Sequence, residues 1–208
     1  MEDSNLIMFT ISAILLSLAP GPDNIYVLSL GISKNKKAAI ITTLGLCTGL
    51  IIHTCAAAFG ISVIFQTSQL AFDIVKYLGA IYLLYIAYQI FKHRNDLISL
   101  ENSFNKTEYK KLYFKGFIMN ILNPKVSIFF LAFLPQFVDI KSGNISMQMI
   151  FLGVVFIIIA FIVFSLIGIS GSLLKEKIIK KKEIFSYLNS WTSFVLVLLS
   201  IKLAFTSR

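Results

Sequence analysis

Long apolar runs separated by short polar segments divide the chain, covering about 6–31, 38–65, 70–91, 116–138, 147–174 and 184–205. Each run is about as long as the ~20 residues a helix needs to cross hydrocarbon. The pattern therefore predicts an all-α, polytopic helical membrane protein with six transmembrane helices. Two runs are interrupted. The first contains Leu18-Ala19-Pro20-Gly21-Pro22-Asp23-Asn24, and the fourth contains Asn123-Pro124-Lys125. Proline removes a backbone donor and clashes with the preceding turn, so neither helix passes through unbroken. In lipid, freed backbone groups and ionisable side chains are tolerated only against protein or a water-filled cavity. Paired broken helices at matching places in two halves point to a transporter's binding site.

The polar segments set the topology. Basic residues gather in loops 32–37, 92–115 and 175–183 and are nearly missing from the two loops between them. By the positive-inside rule those three loops are cytoplasmic and both termini lie outside. Segment 92–115 is the linker between a first three-helix half, 1–91, and a second, 116–208. Because each half has three spans, the two halves have inverted topology, with helices 1 and 4 broken.

The chain is 57% hydrophobic, more than a soluble domain of this size can use. Its net charge of +9 is spread over loops and forms no basic face, so no nucleic-acid partner is expected. The leading residues include Glu2 and Asp3 rather than a basic cluster. The first run is accordingly read as a span, not a signal peptide. Cys47 and Cys55 share one predicted helix, roughly 12 Å apart along its axis, too far for a disulfide. Both are expected to behave as buried apolar residues. No metal site and no cofactor are expected.

Several motifs carry a family resemblance. Pro20-Gly21-Pro22-Asp23-Asn24, then Gly45-Leu46-Cys47-Thr48-Gly49 with His53 one turn on, resemble the lysine-exporter family (LysE/RhtB type) of bacterial amino-acid efflux proteins. So do Leu78-Gly79-Ala80-Ile81-Tyr82-Leu83-Leu84-Tyr85 and Asn123-Pro124-Lys125 with Phe129-Phe130-Leu131-Ala132-Phe133-Leu134-Pro135-Gln136-Phe137. The chain departs from the family pattern at Ser33-Lys34-Asn35-Lys36-Lys37, where a glycine-bearing turn is usual, and at Trp191 and Ser200, where glycines are usual. The resemblance implies export of small, mostly neutral or basic amino acids across the plasma membrane, driven by protons.

A mechanism follows from residue types. Asn123 is a favoured N-cap and Pro124 a favoured first helical residue; Gly21 and Pro22 fill the same places in the first break. Both restarted half-helices direct their partly positive N-termini inward, where a substrate carboxylate is stabilised. Asp23 lies roughly 12 Å and Lys125 roughly 13 Å from the cytoplasmic ends of their spans, so the two charges can neutralise each other. The substrate-binding residues are therefore expected to be Pro20, Gly21, Pro22, Asp23, Asn24, Asn123, Pro124 and Lys125. Lys125 with the Pro124 turn takes the carboxylate, and Asp23 takes the ammonium or a coupling proton. Asp23 and His53 are the proton-coupling candidates. Gly45, Gly49 and Gly79 are expected to pack helices, within one chain or across a homodimer.

Simpler readings stand beside these. Asp23 also suits a dipole-stabilising place in the first turn of a half-helix, and His53 suits an interhelical hydrogen bond. Phe129, Phe133 and Phe137 share a face toward lipid or a neighbouring span, and Asp73 and Lys76 suit a local ion pair. Three further function classes have clear requirements. A divalent-metal exporter needs several ligands in the spans. A membrane thiol–disulfide electron carrier needs a cysteine on each of two facing helices. A purely structural membrane subunit needs neither charged break.

Overall fold

The computed structural model describes residues 3–19, 21–61, 69–92, 108–139, 143–173 and 183–205. Pro20 and most of loops 92–115 and 175–183 lie outside the described residues. The described elements are helical. They are α1 (Asp3–Leu18), α2 (Pro22–Ser33), α3 (Lys36–Cys55, extended by a π-helical turn Ala56–Ile61) and α4 (Gln69–Lys92). There follow α5 (Tyr109–Ile121), α6 (Pro124–Ile128, continued by Phe129–Phe133 and Leu134–Phe137), α7 (Ile145–Leu173) and α8 (Glu183–Phe205).

Both expected breaks are present. Between α1 and α2 the axis bends by 57°, and between α5 and α6 by 48°. Lys36–Gly60 and Ile145–Leu173 are each long and apolar enough to cross a membrane, and each bent pair adds one span when counted as a unit. The described residues thus establish two to four of the six expected spans. The helix of the fourth run begins at Tyr109, ahead of the apolar run itself, because the basic residues Lys110, Lys111 and Lys115 occupy the first turns of the same helix.

Packing follows small residues, as it must where lipid removes the hydrophobic drive between helices. Gly45 of α3 lies against the Tyr113 carbonyl of α5, and Gly116 lies against the Thr42 carbonyl, so a side chain at either would meet backbone. On α7, Gly168 and Gly171 let α2 and α3 approach in the same way. The GxxxG of Gly45 and Gly49 therefore serves contact within the chain. Gly79 of α4 packs on Ala132 and Leu203. Helices α3 and α7 pack on each other, as do α4 and α8.

The core between the breaks is aromatic. Phe129, Phe133 and Phe137 are buried, joined by Phe9 from α1 and Phe156 from α7, with ring centroids 5.0 Å apart for Phe129–Phe156 and 5.3 Å for Phe9–Phe137. Of the two surroundings expected for this face, neighbouring spans occupy it and lipid does not. One expectation about the thiols fails. Cys47 is buried, with Sγ 3.9 Å from the Ile157 carbonyl, but Cys55 is exposed on α3. An outward thiol costs little among exposed apolar neighbours such as Ile51 and Ile52.

Candidate functional site at the two helix breaks

A helix end leaves its last carbonyls without partners. At the end of α1 side chains from elsewhere supply them. Lys125 Nζ donates to the Ala19 carbonyl at 2.9 Å and to the Leu16 carbonyl at 3.4 Å. Asn24 Nδ2 donates to the Ser17 carbonyl at 2.6 Å. The first break is therefore closed from both sides, by α2 and by the second break.

The restarted half-helices differ. Gly21 caps α2 in extended backbone with Pro22 at the first position, and no side chain caps that first turn. Its N-terminal end therefore faces the break without a side-chain acceptor, carrying the partial positive charge of the helix dipole. Asn123 caps α6, and its Oδ1 accepts from the Lys125 N–H at 3.0 Å. Hence one backbone donor expected to be open to a ligand at the second break is already taken.

Asp23 is 1% exposed. Its Oδ2 accepts from Asn120 Nδ2 at 3.1 Å, and the Asn123 amide also lies beside the carboxylate, while Oδ1 makes no close hydrogen bond among the described residues. Among the described residues no ion pair joins Asp23 to Lys125, although the two attract each other through space. The expected mutual neutralisation is thus indirect. The ammonium is drawn to the partly negative C-terminal end of α1, while the carboxylate is held by an amide. The pair Asp73–Lys76 does form an ion pair at 2.9 Å, as anticipated.

Asn120 lies outside the expected set of site residues, yet it links three elements. Its side chain holds Asp23, and its carbonyl oxygen lies 3.1 Å from His53 Nε2. A carbonyl only accepts, so Nε2 of His53 carries a hydrogen. The His53 ring also lies against Phe130, with centroids 5.8 Å apart. Gly49 leaves room for the Asn120 side chain, which a Cβ there would meet. The signal in the sequence is an asparagine one turn before the Asn123 break, on a helix otherwise apolar at that depth.

Further buried polar atoms near the breaks have no hydrogen-bond partner among the described residues: Asn24 Oδ1, Asn120 Oδ1 and Ser17 Oγ. An unmade hydrogen bond in a low-dielectric interior costs about 1–3 kcal/mol. Such a group of atoms beside two opposite charges is suited to a small polar ligand carrying both donors and acceptors. Of the expected site residues, Gly21, Asp23, Asn24, Asn123 and Lys125 are buried at the breaks, whereas Pro22 and Pro124 are exposed.

The comparison with known proteins agrees with this architecture. The model of the LysE type translocator family matches residues 14–207. The chain belongs to the LysE type translocator family. This translocator is 27% identical over 198 residues to the leucine efflux protein of Salmonella choleraesuis (strain SC-B67), covering 94% of the chain and 92% of that relative. It is also 32% identical over 160 residues to the uncharacterized membrane protein YrhP of Bacillus subtilis (strain 168), covering 73% of the chain and 75% of that relative. No solved structure matches the translocator. The chain is thus a multi-pass helical membrane translocator with Asp23 and Lys125 buried at two helix breaks.

Proposed function

We propose that this translocator is a secondary transporter that exports small amino acids or close derivatives across the plasma membrane by proton antiport with alternating access. The observation that carries the reading is the buried Asp23 carboxylate, with one oxygen making no close hydrogen bond among the described residues, in the same interior as the Lys125 ammonium. A zwitterion has the matching charges. Its ammonium goes to Asp23, with the oxygens of Asn24 and Asn120 as further acceptors. Its carboxylate goes to the uncapped N-terminal end of α2, beside the third N–H of Lys125. The amine of Lys125 lies against Gly21, 3.0 Å from where a Cβ would stand. The name of the leucine efflux relative supports an amino-acid cargo.

Protonation of Asp23 releases the ammonium, and His53, linked to Asp23 through Asn120, is the second proton-coupling residue in this reading. Alternating access comes from rocking two three-helix halves of inverted topology. The packing of α3 on α7 and of α4 on α8, each helix against its counterpart in the other half, supports that symmetry. Both termini lie outside in the same reading.

The test is release of labelled amino acids from cells expressing the chain, run as a panel with Asp23→Asn alongside. Faster release of one or a few neutral amino acids, lost in Asp23→Asn, is expected. No release of any amino acid, with the protein in the membrane, contradicts the reading and turns attention to divalent-metal export.

A further inference from the structure

In transporters with discontinuous helices, coupling cations are held by the unwound carbonyls and C-terminal ends of half-helices. The end of α1 has those components. Leu16 and Ala19 direct carbonyl oxygens toward Lys125 of the second break, and the buried Asp23, in the first turn of α2, makes no close hydrogen bond through Oδ1 among the described residues. Carbonyl and carboxylate oxygens are ligands for hard cations. What lies on the carbonyls is the ammonium of Lys125, brought from the other broken helix, 2.9 Å from the Ala19 oxygen. Gly21 gives it space, since a Cβ there would stand 3.0 Å from Nζ.

We propose that Lys125 is an internal cation, filling with its ammonium a monovalent-cation site built from the Leu16 and Ala19 carbonyls, with the buried Asp23 carboxylate, beyond ion-pair distance, as the balancing charge. The inference goes beyond the amino-acid reading and needs no substrate. It has two consequences. The wild-type chain needs no alkali ion to hold the break together. Removing the ammonium leaves the two carbonyl oxygens without their donor and the buried carboxylate without its balancing cation, and a sodium ion supplies the same single charge to the carbonyls.

The test is thermal unfolding of the purified full chain in detergent, with sodium chloride titrated against choline chloride at equal ionic strength. Wild type is expected to show no sodium-specific shift. Lys125→Ala and Lys125→Ser are expected to gain a saturable rise in melting temperature of about 3 °C. Adding Asp23→Asn to either is expected to abolish that rise. Where a variant unfolds during purification, the yield of folded protein with and without sodium is the readout. A sodium-specific rise in wild type overturns the proposal, since the site is then not filled by Lys125. Failure of both variants to respond in melting and in yield overturns it equally. Loss of amino-acid release in the same variants bears only on the substrate reading.

Discussion

Lys125 Nζ lies 2.9 Å from the Ala19 carbonyl oxygen, so a residue of the second broken helix closes the end of the half-helix at the first. The two breaks are mechanically one unit. A shift of α6 pulls on the end of α1, and the contact crosses between the two halves of the chain. Crowding that contact should therefore slow transport.

Gly21 stands where the ammonium passes. Its backbone is extended at φ −162°, so a larger residue adopts it without strain, and only the flexible end of Lys125 stands in the way. Gly21→Ala is expected to fold normally and export several-fold more slowly, with Gly21→Val worse. Efflux assays at matched membrane levels check this. Wild-type export by Gly21→Val would contradict it.

Asn120 is expected to matter more than its neutral side chain suggests. Asn120→Ala removes a hydrogen bond to a buried carboxylate, worth about 1.5–3 kcal/mol, which corresponds to roughly a tenfold or greater loss of export. The His53 contact is to the main-chain carbonyl, so it survives the substitution. Asn120→Gln is expected not to rescue, because the Asn120 side chain already packs closely against Gly49 and a longer one shifts its amide from Asp23. Efflux rates normalised to the monodisperse fraction measure both.

Much of this is legible in the residues alone, and the reason is physical. In lipid, proline, glycine and charge carry heavy penalties, so Pro22-Asp23-Asn24 and Pro124-Lys125 mark the breaks without any knowledge of packing. The cap residues Gly21 and Asn123 are legible for the same reason, because helix starts are local. What Lys125 touches is not. Its partners are backbone carbonyls more than one hundred residues away, and a carbonyl has no signature in a sequence. Asn120 escapes notice because a lone amide in a helix announces no partner. The setting of Phe129, Phe133 and Phe137 stays open until the fold is known, because a lipid-facing and a core-facing aromatic stripe read alike.

Close packing yields a stability expectation. A side chain at Gly45 meets the Tyr113 backbone, which has little freedom to move. Gly45→Leu is expected to cost more than about 3 kcal/mol and abolish folded protein. Among the described residues nothing lies within 4 Å of where a Cβ of Gly60 would stand, so Gly60→Ala is expected to stay within about 0.5 kcal/mol of wild type. The yield of folded, monodisperse protein for the two variants separates a packing role from general sensitivity of glycines.

The thiols provide a class test. Cys47 and Cys55 lie on the same helix, one buried and one outward, and both are free. The double variant Cys47→Ser, Cys55→Ser is expected to export at near wild-type rate. Complete loss of activity with folding intact would favour thiol–disulfide electron transfer over export.

Whether the two breaks form an amino-acid site is decided by efflux from proteoliposomes. Purified wild type, Asp23→Asn and Lys76→Ala are reconstituted around a labelled amino acid released in the cell panel, under an imposed proton gradient. Lys76, ion-paired to Asp73 on α4 and not among the residues proposed to bind, serves as the charged control. Gradient-driven release of that amino acid by wild type and Lys76→Ala, lost in Asp23→Asn, is the expected result. Equal release by wild type and Asp23→Asn would contradict a site at the breaks.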